Sequence, residues 1–413
     1  MPEFLHLLPP DEARRRLFEH LPPPSLSSEM VPTLDALGRV LARPVRAPHP
    51  LPSFARASVD GYAVRARDTF GASESLPAYL TLIGEVPMGQ MPSLTLSPAT
   101  CALIHTGGAL PPGADAVVML EHTQRLGDEI EVLRAVAPGE NILQAGEDVQ
   151  AGEEVLSIGH RLRPAEIGGL MALGILEVEV WRRPRLGLIA SGDEVVPPQV
   201  MPAPGQVRDI NTYSLSALIL EHGGEPRVYG IVPDRPQALR EVAERALSEC
   251  DALIITAGSS ASTRDMTAEV IQSLGAPGVL VHGINTRPGK PTILGICNGK
   301  AVIGLPGNPV SALVNGYLFV RPLLDYLLQR PAAGPQAVVR ARLTVNLPSQ
   351  AGREDWWPVR LQPTPDRPSQ WLADPIFGKS NLIFTLVRAD GLIRILPDAT
   401  GLSAGEEVEV FLL

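Results

Sequence analysis

Between Arg185 and about Gln329, strand-like hydrophobic runs alternate with segments that have the apolar periodicity of helices. This alternation predicts a doubly wound, mostly parallel α/β sheet with helices on both faces. The successive segments are RLGLIAS, NTYSLSALILEHGG, EPRVYGIV, RPQALREVAERALSE, DALIITAG, DMTAEVIQSLG, KAVIGLP and NPVSALVNGYLFVRPLLDYLL.

Two other parts of the chain have β-rich patterning. From Phe54 to about Ala137, the runs AYLTLIGEV, CALIHT, AVVMLE and EIEVLRAV are separated by Gly and Pro turns, which predicts a small β domain. After Pro331, the runs AVVRARLTV, LIFTLVRADGLIRIL and EEVEVFLL predict a C-terminal β barrel of about 80 residues.

The remaining segments have helical signals. Asp11 followed by EARRRLFEHL, and Thr33 followed by LDALGRVLA, predict two short capped helices. RPAEIGGLMALGI predicts a third, with Pro164 in its first turn and Gly174 at its end. The chain is therefore divided into a discontinuous helical linker domain (1–53 and 138–182), an inserted β domain (54–137), an α/β domain (183–330) and the barrel domain (331–413).

Charge and composition narrow the class of protein. The net charge of −10 and a pI near 5.4 exclude an extended nucleic-acid surface. No run of about 18 apolar residues could span a membrane, and the first residues do not resemble a secretion signal, so we expect a cytoplasmic protein. Cys101, Cys250 and Cys297 are far apart, which predicts buried, reduced thiols and no zinc site.

Three acidic residues follow three of the predicted strands. Glu194 lies in SGDE, Asp234 in VPD, and Asp265 after AGSSASTR. Loops that follow parallel strands meet at one edge of the sheet, so these acids are expected to share a crevice. Carboxylates gathered there would suit Mg²⁺, which combines one or two protein oxygens with water and substrate phosphate oxygens. Taken singly, each acid is equally well explained as a helix cap.

A glycine-rich basic cluster follows in the same region. Arg287-Pro-Gly-Lys290-Pro precedes Gly304-Leu-Pro-Gly-Asn-Pro-Val-Ser311, which opens a long helix. Backbone N–H groups at a helix start bind oxyanions, and adjacent cations add charge, so this cluster predicts a site for phosphate or another tetrahedral oxyanion. The alternative, in which Gly and Pro only shape turns, does not account for Lys290.

Six motifs, in order, carry a resemblance to a known family: VDGYA, TGGALPPGADAVVMLE, GEDV, SGDE, RPGKP and GLPGNPVSAL. Over nearly the whole chain they resemble the molybdopterin molybdenumtransferases, whose animal relative forms the catalytic domain of gephyrin. The resemblance implies the same four-part architecture, with the α/β domain binding the pterin. It also implies insertion of molybdenum from molybdate into adenylylated molybdopterin, with Mg²⁺-dependent hydrolysis that releases AMP and gives the molybdenum cofactor.

The resemblance further implies a homodimer with its site between subunits, a transient contact with the adenylylating enzyme, and roles for individual residues. The catalytic acids would be Asp60, Asp148, Glu194, Asp234 and Asp265, with Glu194 and Asp265 holding Mg²⁺. Molybdate or phosphate would be bound by Arg287, Lys290, Ser311, Arg353 and Ser380. The pterin and nucleotide loops would contain Gly61, Thr106, Gly107, Gly258, Ser260, Pro306, Gly307 and Asn308. Asp60 could instead be a turn residue, and Arg353 and Ser380 ordinary residues of the barrel surface.

The chain departs from the family pattern in three places, one of which is the usual SAMDGYA, here Ala57-Ser58-Val59-Asp60, with the hydroxyl shifted by one residue. Where the family has a TGGxSxG-type loop, this chain has TAGSSAS from Thr256, which adds Cβ atoms where the backbone would approach phosphate. Arg287 replaces the first lysine of KPGK, exchanging a point donor for a planar fork. A tungstate-inserting paralogue and a non-catalytic pterin-binding scaffold remain alternatives, although the retained acids disfavour a scaffold. A nucleotide pyrophosphatase would leave the barrel unexplained.

Overall fold

The computed structural model describes residues 7–257, 261–331, 337–364 and 367–413, with the backbone alone for 261–264 and 367–368. The chain forms two compact units. The first contains the described residues of Met1–Glu29, Gly38–Val40 and Val180–Leu413, and the second contains Met30–Leu37 and Leu41–Glu179. The residue bounds of the four predicted domains stay a prediction.

The N-terminal half of the chain is mainly β structure. Its elements are α1 (Pro10–His20), β1 (Ser28–Pro32), β2 (Val45–Arg46), β3 (Arg56–Ala57), β4 (Gly61–Val64), β5 (Ala78–Glu85), β6 (Thr100–Ile104), β7 (Ala116–Met119), β8 (Thr123–Leu126), β9 (Glu129–Val132), β10 (Ile142–Leu143), β11 (Glu154–Leu156), α2 (Pro164–Ala172) and β12 (Glu177–Trp181). In the second unit, six strands form one sheet in the order β7-β4-β6-β5-β9-β8. Its core includes the buried side chains of Tyr62, Leu80 and Ile130.

The helix predicted from Thr33 is wrong beyond its first turn. Only a 3₁₀ helix, Thr33–Ala36, forms there. Gly38 has a φ of +74°, a left-handed conformation that ends helices. The N–H groups of Leu41 and Ala42 then donate to the carbonyls of distant residues, so this part of the segment is extended. Long-range pairing therefore overrides a local helical pattern.

In its described residues, the α/β part of the first unit has six strands of five to eight residues and three strands of two residues, which alternate with helices. Its elements are β13 (Arg185–Ser191), β14 (Val195–Val196), β15 (Val207–Arg208), α3 (Asn211–Glu221), β16 (Glu225–Val232), α4 (Pro236–Glu249), β17 (Ala252–Ala257), α5 (Ala261–Ser273), β18 (Pro277–His282), β19 (Thr286–Arg287), β20 (Ile293–Cys297), β21 (Lys300–Pro306), α6 (Pro309–Asn315), a π-helix (Gly316–Val320) and α7 (Arg321–Leu327). The main sheet has the order β16-β13-β17-β21-β20-β18. Its first four strands are parallel, and β20 runs antiparallel to both of its neighbours, β21 and β18.

Helices cover both faces of this sheet, which confirms the predicted fold class. Ile254 faces a core that includes Leu215 of α3 and Leu323 of α7. Its neighbour Ile255 faces the opposite core, which includes Leu239 of α4. Successive side chains of a strand point to opposite faces, so the continuous apolar run of β17 is buried on both sides. Helix α1 also packs into the first of these cores.

The predicted C-terminal β barrel is confirmed as a closed barrel of five strands. The elements are β22 (Val338–Leu343), β23 (Leu347–Pro348), β24 (Glu354–Thr364), β25 (Arg367–Pro375), α8 (Phe384–Val387), β26 (Gly391–Ile395), β27 (Gly401–Leu402) and β28 (Glu407–Leu412). The order β24-β25-β22-β28-β26 closes through pairing of β26 with β24. The run LIFTLVRADGLIRIL is β structure only in its second half, since its first half forms α8.

Among the helices that the structure describes, none is both long and apolar enough to cross a lipid bilayer.

Candidate functional site

A cavity of about 630 Å³ lies in the first unit, where the loops of the α/β part meet the barrel. We call it the oxyanion cavity. One wall is formed by residues of the segments 286–291 and 306–311, which lead into and out of the last sheet strands. The other wall is formed by residues of the barrel segments 353–358 and 376–385.

Backbone hydrogen bonds and packing hold the two walls together. Strand β19 pairs in parallel with the start of β24, and the N–H of Val310 donates to the carbonyl of Ser380 at 3.0 Å. Below the cavity, Val310 and Val314 of α6 pack against Leu386 and Leu392 of the barrel part. The relative position of the two walls is thus determined by tertiary contacts within one unit.

All five residues predicted to bind an oxyanion line this cavity. They are Arg287, Lys290, Ser311, Arg353 and Ser380, and two residues of the predicted nucleotide loops, Pro306 and Asn308, join them. Gly307, between those two, accepts a hydrogen bond at 2.8 Å from the side-chain amide of Asn211. Their roles in binding stay predictions, but residues from distant parts of the sequence do lie together.

Both walls of the oxyanion cavity carry positive charge. Four cationic side chains line it, those of Arg287, Lys290, Arg353 and Lys379, and none of the described lining residues is acidic. The guanidinium of Arg287 lies 5.4 Å from the ring centroid of Trp357, a cation–π contact that orients it. A protein of net charge −10 thereby provides a local site for an anion.

Arg353 is held by a buried carboxylate next to the cavity. Its Nε donates to Asp355 Oδ1 at 2.7 Å and its Nη2 to Oδ2 at 3.0 Å, in a bidentate pair. The side chain of Asp355 is 1% exposed, and that of Arg353 is 25% exposed. Paired donors of this kind fix the plane of the guanidinium, so Asp355 determines how Arg353 is presented.

The predicted acids of the α/β part follow three adjacent parallel strands. Asp234 follows β16, Glu194 follows β13, and Asp265 lies in the first turns of α5, after β17. The hydroxyl of Ser191 donates to Asp234 Oδ1 at 2.7 Å, which orients that carboxylate at the sheet edge. The strand order reverses at β13, and in open α/β sheets ligands bind at such a point.

The predicted magnesium ligands at this edge are Glu194 and Asp265. Among the described residues, no group of three or more His, Cys, Asp or Glu side chains is arranged to hold a metal. Glu194 and Asp265 are both exposed, and Mg²⁺ commonly takes one or two carboxylates and completes its shell with water and phosphate oxygens. Their role in holding Mg²⁺ stays a prediction.

Two of the predicted catalytic acids, Asp60 and Asp148, lie in the second unit. Asp60 Oδ1 accepts hydrogen bonds from the Thr106 N–H at 2.7 Å and from its hydroxyl at 3.1 Å. These bonds lower the pKa of the Asp60 carboxyl, which therefore stays ionised at neutral pH. Gly107, the next residue, has a φ of +85°. Asp148 is exposed, and its backbone N–H donates to Leu51.

Gly61 has a structural reason to be glycine. It lies in β4, between β6 and β7, and is buried. A Cβ at this position would lie 2.0 Å from the carbonyl oxygen of Val118, which is sheet backbone that cannot move aside easily. The glycine of VDGYA is thus explained by sheet packing alone. Gly258 and Ser260, the other predicted loop residues, lie outside the described residues.

Three family models match successive parts of the chain. The "MoeA N-terminal region (domain I and II)" matches residues 8–174, the "Probable molybdopterin binding domain" matches 187–326, and the "MoeA C-terminal region (domain IV)" matches 340–413. The molybdopterin biosynthesis MoeA protein of Pyrococcus horikoshii OT3, a solved structure, is 34% identical with a TM-score of 0.86. The match covers 98% of this chain and 100% of that one.

Two relatives carry the name of the family. The molybdopterin molybdenumtransferase of Nostoc sp. is 36% identical, over 80% of this chain and 76% of that protein. That of Bacillus subtilis is 32% identical, over 98% of this chain and 94% of that protein. The chain belongs to the molybdopterin molybdenumtransferase family. This confirms the predicted family and the prediction that the protein is an enzyme. The family inserts molybdenum in the biosynthesis of its cofactor.

Sequence reasoning missed several residues of the oxyanion cavity, among them one cation and two tryptophans. Lys379 precedes the predicted Ser380, and Trp356 and Trp357 follow the predicted Arg353. The chain has only three lysines, so a lysine after glycine in FGKSN was a signal of the kind that identified Lys290. The tryptophans had no such signal, because alternation in a strand does not show which face borders a cavity.

We expect Asp355→Asn to destabilise the protein by about 1–3 kcal/mol, because the substitution leaves the Arg353 guanidinium without its charged partner. The partial exposure of Arg353 keeps the effect below that of a fully buried pair. Thermal unfolding measures it. Asp374→Asn, on the neighbouring strand and bonded to Thr344 at an exposed position, is the control and should change stability by less than about 0.5 kcal/mol. Equal effects of the two substitutions would contradict the anchoring role of Asp355.

Proposed function

We propose that the protein inserts molybdenum from molybdate into adenylylated molybdopterin and releases AMP in an Mg²⁺-dependent hydrolysis, which gives the molybdenum cofactor. The oxyanion cavity carries this proposal. It combines four cations and the hydroxyls of Ser311 and Ser380, with no acid among its described lining residues. A dianion with tetrahedral oxygens is the class of ligand that such a set of donors fits.

The cavity is large enough to hold more than a single small ion. Its volume of about 630 Å³ is in the range of pockets that hold drug-sized ligands. Trp356 and Trp357 lie on the barrel wall together with Arg353 and Lys379, so the cavity combines aromatic and cationic side chains. A tetrahedral oxyanion would bind the cations, and the remaining space would admit the part of the pterin substrate that receives the metal.

The acids at the sheet edge supply the second half of the proposal. Mg²⁺ bound there would neutralise phosphate charge during attack by water. Glu194 and Asp265 would hold the ion, and Asp234, oriented by Ser191, would hold a water or a pterin N–H. In the hydrolysis, the water oxygen bonds to the adenylyl phosphorus, the bridging P–O bond breaks, and AMP leaves together with the pterin monophosphate.

One experiment separates this activity from its alternatives. Purified protein is incubated with adenylylated molybdopterin and Mg²⁺, with and without molybdate or tungstate, and AMP is measured. The proposal expects AMP release that depends on molybdate. Release only with tungstate would identify a tungstate-inserting enzyme, release without either oxyanion a pyrophosphatase, and no release a non-catalytic scaffold.

We also propose that the protein is a homodimer, and that Asp60 and Asp265 act in sites made by both subunits. The second unit has large exposed apolar side chains, with Leu34, Leu37 and Leu176 between 58% and 75% exposed. Such patches are typical of interfaces. We expect sedimentation at micromolar concentration to give the mass of a dimer. Mixing an Asp60 variant with an Asp265 variant should restore part of the activity, and a monomer that is fully active would contradict the proposal.

A cytoplasmic location and a transient contact with the adenylylating enzyme complete the proposal. The three cysteines are all buried and free, and burial raises the pKa of the Cys101 thiol to about 12. Unpaired thiols are typical of proteins in a reducing compartment. The contact with the adenylylating enzyme is inferred from the substrate, which must be supplied by an enzyme that transfers AMP to the pterin.

A further inference from the structure

Asn315 joins the two segments that bring the cationic loop and Ser311 to the oxyanion cavity. It is the last residue of α6 and is 0% exposed. Its side-chain Nδ2 donates to the carbonyl of Pro288 at 3.1 Å and to the carbonyl of Ser311 at 2.8 Å. Pro288 lies between Arg287 and Lys290 in the chain. One buried amide therefore ties the loop of both cations to the helix of Ser311.

The backbone of the loop lies directly against this amide. A Cβ added at Gly289 would be 1.7 Å from Asn315 Nδ2, and the φ of Gly289 is +108°. Only glycine combines that backbone conformation with such a close approach. The close contact with Asn315 is therefore the reason that position 289 is a glycine. A second fixed point follows it, where the Thr292 hydroxyl donates to the Gly289 carbonyl at 2.8 Å.

The oxygen of the same amide is a cost to stability, which the two hydrogen bonds of the nitrogen have to offset. Both carbonyl contacts are made by Nδ2, which leaves Oδ1 buried and without a hydrogen-bond partner among the described atoms. A buried acceptor without a partner has an uncompensated desolvation cost, so an apolar residue of similar volume would suit a purely structural position better. The helix also widens to a π-helix at Gly316–Val320, an irregularity that is frequent at functional sites.

We propose that Asn315 is a positioning residue for the oxyanion cavity, which holds Arg287 and Lys290 at a fixed distance from Ser311. This inference rests on the proposed function. Asn315 is not among the described residues that line the cavity, so it acts through the backbone of Pro288 and Ser311. Without it, the two exposed cations would sample several loop conformations, and an oxyanion would have to select the one that presents both charges.

The test compares three variants of the full chain. Asn315→Ala removes both contacts. Asn315→Thr keeps similar bulk and a hydroxyl that can bond the carbonyl four residues earlier, that of Ser311, but cannot reach Pro288. Leu323→Ala, at a fully buried position of α7 that does not line the cavity, is the control for lost stability. Binding of molybdate is measured by titration calorimetry without pterin substrate, and turnover is measured against both molybdate and the pterin nucleotide.

We expect Asn315→Ala and Asn315→Thr to weaken molybdate binding about five- to tenfold, the effect of losing one hydrogen bond that orders the loop. At saturating molybdate, kcat and the KM for the pterin nucleotide should stay near their original values. Leu323→Ala should lower the melting temperature at least as much, with molybdate affinity changed less than twofold.

The outcomes separate this inference from the proposed function. Molybdate binding by Asn315→Thr that equals that of the unaltered protein would overturn the positioning role, while leaving the oxyanion cavity intact. An equal loss of affinity in Leu323→Ala would also overturn it, because general destabilisation would then suffice. If the unaltered protein binds neither molybdate nor tungstate, the proposed function fails first, and the positioning role fails with it.

Discussion

Replacing Lys290 with alanine is expected to raise the molybdate concentration that half-saturates AMP release by at least about tenfold. Lys290 is one of four cations that line the oxyanion cavity. Hydrogen bonds from the side chains of Asn315 and Thr292 hold the backbone of its loop in place. A hydrogen bond to a charged group contributes about 1.5–3 kcal/mol, and each 1.4 kcal/mol is a factor of about ten in affinity. The dianion should therefore depend steeply on this ammonium group.

The chain offers a matched control for this experiment. Lys300 is another of its three lysines, and its Nζ donates to the Leu247 carbonyl at 2.5 Å, away from the cavity. Lys300→Ala should leave the half-saturating molybdate concentration unchanged. Arg353→Ala and Ser380→Ala test the barrel wall in the same titration. No change in Lys290→Ala would reject the site, whereas no change in the two barrel variants alone would reject only the contribution of the barrel.

The largest effect is expected at the sheet edge. Asp265→Asn and Glu194→Gln should each lower the rate of AMP release by at least about a hundredfold, since both remove the charge that would hold Mg²⁺ and orient the phosphates. Both side chains are exposed, so the free energy of unfolding should change by less than about 0.5 kcal/mol. AMP release under saturating molybdate, together with thermal unfolding, measures the two quantities separately.

A nearby acid on the same helix serves as the control. Glu269 is also exposed and lies one turn after Asp265 on α5. Glu269→Gln should retain full AMP release, because Glu269 lies one turn further from the start of the helix, where the strands end. Turnover near the original rate in both Asp265→Asn and Glu194→Gln would remove the acids from the mechanism. Raising the Mg²⁺ concentration should restore activity in part if the acids bind the ion.

The family relationship and the tertiary contacts explain different parts of this site. Membership in the molybdopterin molybdenumtransferase family rests on matches along the whole chain. It does not explain why Arg353 has its particular orientation. That orientation follows from the bidentate contact with Asp355, and Asp355 lies on a strand that pairs with the cationic loop. Arg353, which lines the cavity, is thus oriented by Asp355, which does not line it.

The sequence alone determined the elements whose signals are local. Strand β17 is recognisable because all of its residues are apolar or small and it is buried on both faces, and the alternation of such runs with helices is enough to predict the parallel sheet. The candidate anion residues were also recognisable, because a lysine beside glycine and proline is rare in this chain. The charge and hydrogen-bonding capacity of these side chains depend only on residue type, which is known from the sequence.

Tertiary structure alone decided the features that depend on distant partners. The long strand β24 escaped prediction because Pro358 and Pro363 interrupt its β pattern, yet in the closed barrel it pairs with both β25 and β26. The segment after Gly38 is extended and not helical, since the N–H groups of Leu41 and Ala42 donate to carbonyls more than a hundred residues away. Nothing in the local pattern marks Asn315, because a buried amide that bonds another loop has the same sequence signal as an exposed one. Local patterns encode which face of an element is apolar, whereas the partner across each contact is selected only when the whole chain packs.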